Sequence, residues 1–254
     1  MERIVMLCDY GLDDMCATLY LLENTDRKTP VDIVAVGGND SADKAYANAE
    51  KLISNLDFCG NITLVDTRAQ EQNCAYLPSI HGKDSMGDLL EKKRLVCKKA
   101  DFSEWLDTLD CDITLVSLGP CTITEKILER VGEVKKLVIM GGCVAEVPNF
   151  NGLEFNHAIN VDAFARCVKY PHVIATLDSC RHPAFNFANK VFEGKSLLAR
   201  ALNRSIELAV ARHKDNSFVY DYICVDYLIH PDKWIVEEKT DPLGNVLNQL
   251  RYIG

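Results

Sequence analysis

Three aspartates, Asp9, Asp13 and Asp14, fall within six residues of the stretch LCDYGLDDMCA that runs from Leu7 to Ala17. They stand where the apolar run RIVMLC stops, and aspartate is a poor strand former that is seldom buried without a partner. Gly11 permits a tight turn, after which Asp13 and Asp14 open a helix running through Met15 to Leu22. Carboxylates in a first helical turn are favoured by the helix dipole and can cap free N–H groups. That accounts for Asp13 or Asp14 alone. It does not account for Asp9 in the preceding turn, because clustered carboxylates repel unless a cation or shared protons intervene. Oxygen ligands without His or Cys suit a hard ion, calcium or magnesium, rather than zinc.

The elements that would position these groups are visible as short apolar runs: RIVMLC, VDIVAVGG, NITLVDT, DITLVSLG, KKLVIMGG and HVIATLDS. Each is rich in Val, Ile and Leu, alternates little, and ends in Gly, Asp or a turn, as expected for parallel strands covered on both faces. Helical patterns lie between them, over Ala45–Leu56 and Thr122–Val131, with a long one from Lys190 to about His213 after the last strand. The alternation predicts an α/β fold with an open, mostly parallel, doubly wound sheet, Rossmann-like, in a single domain over residues 1–254. Ligands of such sheets bind beyond the carboxyl ends of the strands. Asp9, the GGND run with Asn39, the GPCT run with Thr122, the MGG run and Asp178 all fall at those ends. The stretch Arg68–Ala100 reads as loop, and its basic run EKKR as a solvated helix face.

With 254 residues, 48% hydrophobic and 26% charged, the chain is long enough for one well-buried domain. A net charge of −9 argues against nucleic acid as a partner. The opening MERIVMLCDY has charge where a signal peptide needs an apolar run, and no long apolar stretch follows, so no membrane span and a cytoplasmic location are expected. The cysteine count, 11, is odd and no CxxC occurs, which predicts free, largely buried thiols rather than a disulfide framework.

Taken together, DYGLDD, VGGND, IHGKDSMGD, LVSLGPCT, LVIMGG, LEFNHAINVDAFARCV and YDYICVDYLIHP resemble, in order, the signature segments of the inosine–uridine preferring nucleoside hydrolases. The resemblance runs from Arg3 to about Pro231. It implies calcium-dependent hydrolysis of the N-glycosidic bond of a small-molecule ribonucleoside, and a homodimer or homotetramer. By position, Asp9 corresponds to a calcium ligand that is also general base on the attacking water. Asp14 and Asp221 correspond to calcium carboxylates, and Thr122 to a ligand through its backbone carbonyl. Asp13, Asn39, Glu154, Phe155 and Asn156 correspond to ribose contacts, and His81 to the wall of the site. Simpler structural roles compete at several positions: Asn39 in a left-handed turn, Asp221 as a helix cap, Phe155 in the core, His81 as a bonded loop histidine.

The chain also departs from that pattern. Leu7 replaces the first aspartate of the family signature and continues the buried strand; Tyr10 replaces a proline, altering the turn or lining the pocket. Leu153 and Ile123 replace an alanine and an asparagine. Tyr220 stands where many members carry a histidine that protonates the leaving base, and is the expected catalytic contact to the base. The segment CVAEVPNFNG is shorter by about one residue, which leaves Asn149 and Asn151 as alternatives for one ribose contact. The base pocket is expected from Asn216–Tyr222 and Arg68–Gly87. Hydrolysis of an atypical nucleoside, or binding without turnover, are the alternatives. A phosphohydrolase using Asp9 as nucleophile fits less well, since Gly11 stands where it would need a second acid.

Overall fold

The computed structural model describes residues 3–75, 80–213 and 216–254. Its first strand, β1 (Arg3–Cys8), is followed by α1 (Leu12–Asn24), β2 (Val31–Ala35), α2 (Ala42–Ile53), β3 (Ile62–Asp66), β4 (Lys98–Asp101), α3 (Phe102–Leu106) and β5 (Ile113–Ser117). The second half comprises α4 (Thr122–Val131), β6 (Lys136–Met140), α5 (Phe155–Ile159), α6 (Val161–Cys167), β7 (Val173–Ala175), α7 (Leu177–Cys180), α8 (Leu197–His213), α9 (Tyr222–Ile229), β8 (Trp234–Thr240) and β9 (Val246–Tyr252). Among the described residues nine strands form one sheet in the order β4-β3-β2-β1-β5-β6-β7-β9-β8, parallel except for the β8–β9 hairpin.

The sheet runs outward in both directions from β1 and β5, so the order reverses between them. That reversal opens a crevice beyond the strand ends. β1 lies at the centre, with Leu7 opposite Val34 of β2 and Ser117 of β5. Leu7 is fully buried and continues the strand as expected. Its even-numbered neighbours Met6 and Cys8 pack on one side with α1, α2, α8 and α9, while Val5 and Leu7 pack on the other with α3, α4 and α6. Burial on both faces explains why these strands read as continuous apolar runs.

Several boundaries differ from the sequence expectation. The long helix starts at Leu197, not Lys190: Asn203, within α8, exchanges side-chain bonds with the N–H and C=O of Phe192 and holds the preceding chain as a loop. HVIATLDS is not the last strand; the hairpin β8–β9 follows it. β8 has the alternating burial of a strand wet on one face, and so lacks the run of apolar residues by which the other strands are found. β4, KKAD, is mostly exposed and gives no hydrophobic signal. The EKKR run, Glu91–Arg94, is exposed but not helical. Asn55 bonds the Glu91 carbonyl (2.8 Å) and the Lys93 N–H reaches Ser54 Oγ (3.3 Å), which lays the chain along the end of α2.

Arginines of α8 fasten the loop that carries His81. Arg200 donates to the Leu89 carbonyl (3.3 Å), Arg204 to Gly87 (2.9 Å) and Arg212 to Ile80 (2.7 Å). Their spacing of four and eight residues puts all three along one helix face. Within the loop, Asp84 accepts from the N–H groups of Met86 and Asp88 and pairs with Lys51. Removing a charged donor from a half-buried carbonyl costs about 1–2 kcal/mol. Arg204→Ala is therefore expected to lower stability by that amount in urea unfolding and to raise the rate of proteolytic cleavage within residues 80–89. Unchanged cleavage there would contradict the clamp.

Candidate active site

A cavity of about 830 Å³ opens at the carboxyl ends of the strands and is lined in part by Asp9, Asp13, Asn39 and His81 from the first half of the chain. Asn149, Glu154, Phe155, Asn156, Tyr220 and Asp221 line it from the second. Its size is within the usual range for a small-molecule site.

Asp9 leaves β1 and is 4% exposed. Its Oδ2 accepts from the Asn39 N–H (2.7 Å) and its Oδ1 from Asn39 Nδ2 (2.9 Å). Asn39 is not in a left-handed turn; its backbone N–H and one of its two side-chain N–H groups are given to Asp9. The approach requires glycine at position 38, where a Cβ would stand 2.0 Å from Asp9 Oδ2. Gly11 starts α1, and its N–H donates to Asp14 Oδ2 (2.8 Å). Asp14 Oδ1 and Asp13 Oδ1 are buried without a hydrogen-bond partner. Asp221 occupies the N-cap position of α9 yet its side chain caps no N–H. A helix cap therefore does not explain this buried carboxylate.

Ligand-capable oxygens of Asp13, Asp14 and Asp221 all lie within 4.8 Å of one another, the one such group among the described residues. Asp13, expected against ribose, thus sits in the tightest acidic group, while Asp9 faces the same cavity tied to Asn39. Burial pushes the Asp9 carboxyl up to about 6, with the Asp13 charge adding and the Asn39 bonds opposing. Asp14 and Asp221 are driven well above the ordinary carboxylate range, first by burial and then by their acidic neighbours. Orphaned buried oxygens, mutual repulsion and an all-oxygen donor set fit a hard divalent cation. Thr122, expected to offer its carbonyl, opens α4 outside the cavity lining, and its hydroxyl accepts from Asn160 (2.9 Å).

The remaining polar groups are already partly committed. Glu154 caps α5, accepting from the N–H groups of Asn156 (2.9 Å), His157 (3.0 Å) and Gly142 (2.9 Å); burial lifts its carboxyl to about 7 against those bonds. Asn156 donates its amide to the carbonyls of Leu118 (2.6 Å) and Met140 (3.2 Å). Its amide oxygen is left for the cavity. Asn149 accepts from the Phe155 N–H (2.9 Å), which leaves its amide donors free. Asn151 is exposed at a left-handed turn position, so of the two it is Asn149 that faces the cavity. Phe155 is half-buried, edge-on to Phe150. His81 accepts from the Leu12 N–H through Nδ1 (3.2 Å), and burial lowers its basicity. The neutral ring so bonded carries its proton on Nε2.

Tyr10 is fully buried in the core and does not line the cavity. It alters the turn instead: its φ of 49° is closed to proline, whose ring fixes φ near −65°. Of the expected pocket segments, Ile80 and His81 of the first and Asn216, Phe218, Tyr220 and Asp221 of the second line the cavity. Part of the stretch Arg68–Gly87, residues 76–79, lies outside the described residues. The sequence reading missed Arg212 and the face of α8 with Ser205, Leu208 and Ala209. The signal available was an arginine near the end of an amphipathic helix, which by itself reads as surface.

A family model described as inosine–uridine preferring nucleoside hydrolase matches residues 4–246. The chain is 28% identical over 172 residues to a non-specific ribonucleoside hydrolase, RihC, of Klebsiella pneumoniae (strain 342), covering 64% of this chain and 56% of that protein. The RihC of Salmonella agona (strain SL483) is 28% identical over 177 residues. The chain thus spans 56% of the length of the curated relatives it matches. Among solved structures, a purine-preferring ribonucleoside hydrolase from Gardnerella vaginalis superposes with a TM-score of 0.72 at 18% identity, over 100% of this chain and 93% of that one. An inosine–uridine preferring nucleoside hydrolase from Bacillus anthracis gives 0.69 at 16%, over 99% and 90%. These structural likenesses bear on the fold. The family match extends over nearly the whole chain, and with it the chain belongs to the inosine–uridine preferring nucleoside hydrolase family.

Proposed function

We propose that this chain hydrolyses the N-glycosidic bond of ribonucleosides, with calcium as cofactor and Asp9 as general base. The observation that carries the reading is the meeting of Asp13, Asp14 and Asp221 oxygens at a cavity that Asp9, Asp13 and Asp221 line. Asp14, Asp221 and Asp9, with Asp13 close by, would hold the ion, which when bound supplies positive charge to gather a water and the ribose diol. Asp9, oriented by its two hydrogen bonds from Asn39, takes the proton of the attacking water. The Asn156 amide oxygen accepts from a sugar hydroxyl and the Asn149 amide donates to one. Glu154, with three bonds already made, has one acceptor site left for the sugar. Holding non-reacting hydroxyls in this way orients C1′ toward the water. Action on a free nucleoside, a soluble cytoplasmic setting and assembly as a homodimer or homotetramer complete the proposal. No helix among the described residues is long and apolar enough to cross a membrane.

Release of ribose from uridine, cytidine, inosine, adenosine and guanosine, with calcium and with chelator, tests the activity. Calcium-dependent release is expected, with Asp9→Asn lowering kcat at least about 1,000-fold, the scale of a lost general base that also positions the nucleophile. Release that survives the chelator would sink the metal's role. A second prediction concerns the ion itself. Calcium at about 100 times its Kd should stabilise the fold by about 2.7 kcal/mol. Asp14→Asn and Asp221→Asn should each abolish that rise in Tm. If either variant keeps the full rise, its carboxylate is not a ligand. Gly38→Ala, which drives a methyl into Asp9, should lower kcat about 100-fold. Wild-type kcat in this variant would show that Asp9 needs no such close approach.

A further inference from the structure

The loop from β6 to α5 carries Asn149 to the cavity, yet residues 145–149 are exposed, Val147 to 72%. With so few buried contacts, polar bonds must fix its course. Asp178, in the first turn of α7, accepts from three successive N–H groups. Its Oδ2 takes that of Val144 (2.8 Å), and its Oδ1 those of Ala145 (2.8 Å) and Glu146 (3.1 Å). Arg181, just after α7, is a second clasp: its Nη1 donates to Glu146 Oε2 (3.1 Å) and to the Val147 carbonyl (2.9 Å). Residues 144–147 are thus all tied to two side chains at α7. Between them and Asn149 stands only Pro148, whose ring fixes φ. Downstream, Phe150 and Leu153 exchange backbone bonds (3.0 and 2.9 Å), and the Asn149 side chain accepts from the Phe155 N–H (2.9 Å). Asn149 is held from both sides.

Three N–H groups converging on both oxygens of one side chain need a carboxylate, since an amide has a single oxygen to accept with. Asp178 itself does not line the cavity, so it can reach substrate only through the loop. We infer that Asp178 is a positioning residue for the sugar: by holding residues 144–147 it sets the reach of the Asn149 amide, with Arg181 as the second clasp. The inference rests on the hydrolase reading above. There the ion gathers the ribose diol, which leaves the 5′-hydroxyl for Asn149. Loss of Asp178 therefore acts as loss of the Asn149 contact acts, and on the same substrates. The acidic group is left as it was.

The test assays wild type, Asn149→Ala, Asp178→Ala, Asp178→Asn and the Asn149→Ala/Asp178→Ala double variant with calcium. Substrates are uridine, inosine and their 5′-deoxy counterparts, and amide hydrogen exchange over residues 144–149 is followed in the same proteins. One hydrogen bond to a neutral hydroxyl corresponds to about 3- to 10-fold, so Asn149→Ala should lower kcat/KM by that factor on uridine or inosine. Asp178→Ala should lose at least about threefold but no more than Asn149→Ala does. The double variant should match Asn149→Ala within about twofold, because Asp178 acts through Asn149. On the 5′-deoxy substrates both single variants should stay within about twofold of wild type by the same reasoning. Exchange at residues 144–146 should quicken at least about tenfold in Asp178→Ala. Asp178→Asn, which keeps one acceptor oxygen, should fall between wild type and Asp178→Ala, and serves if the alanine variant does not fold. Losses that multiply in the double variant, or that persist on the 5′-deoxy substrates, would overturn the inference. So would unchanged exchange, or wild-type activity in either single alanine variant. Wild type inactive on both uridine and inosine would instead overturn the hydrolase reading, and the exchange would still test the clasp.

Discussion

Asp9, Asp14 and Asp221 are each less than 5% exposed, and in a poorly polarisable interior their charges repel one another strongly. Folding without a counter-charge forces these carboxyls toward the protonated state, as their raised affinities for protons indicate. A chain gains no stability from such an arrangement. A cation shared by the three groups would relieve that repulsion. Much of the surrounding architecture serves to keep them together: Gly11 and Gly38 leave room, Asn39 ties down Asp9, and α9 brings Asp221 from far along the chain onto α1.

The position of this cluster follows from topology. β1 is central, and the order of strands reverses between it and β5, so the residues after β1 meet a crevice rather than a neighbouring crossover. Loops after β2, β6 and β7 then contribute Asn39, the segment from Asn149 to Asn156, and Arg181. α8 contributes from outside the sheet, clasping the 80–89 loop by its arginines and so holding His81 against the start of α1.

Much of this was legible in the sequence, for a physical reason. Strands buried on both faces must be apolar throughout, and six of them announced the sheet. The carboxylates at their ends announced the acidic cluster, whose oxygens stand close enough together to share an ion. What escaped notice obeys other rules. β8 buries one face only, β4 buries almost nothing, and the loop before α8 is held by a single asparagine, Asn203, whose type says nothing of its partner. Within the site, residue type showed that Glu154 and Asn156 are polar at a strand-end segment. It could not show that backbone groups already claim most of their hydrogen-bonding capacity, which decides which atoms are left for substrate. Tyr10 illustrates the same limit: the sequence marks the lost proline, but only the backbone reveals a left-handed turn with the ring in the core.

Whether a cation is held among these carboxylates is tested most directly by diffraction from crystals grown with calcium, recorded at a wavelength where calcium scatters anomalously. The predicted result is one peak in the cavity, about 2.3–2.6 Å from oxygens of Asp14 and Asp221 with Asp9 or Asp13 in its coordination shell. Carboxyls paired through shared protons, with calcium bound elsewhere or nowhere at millimolar concentration, would contradict it.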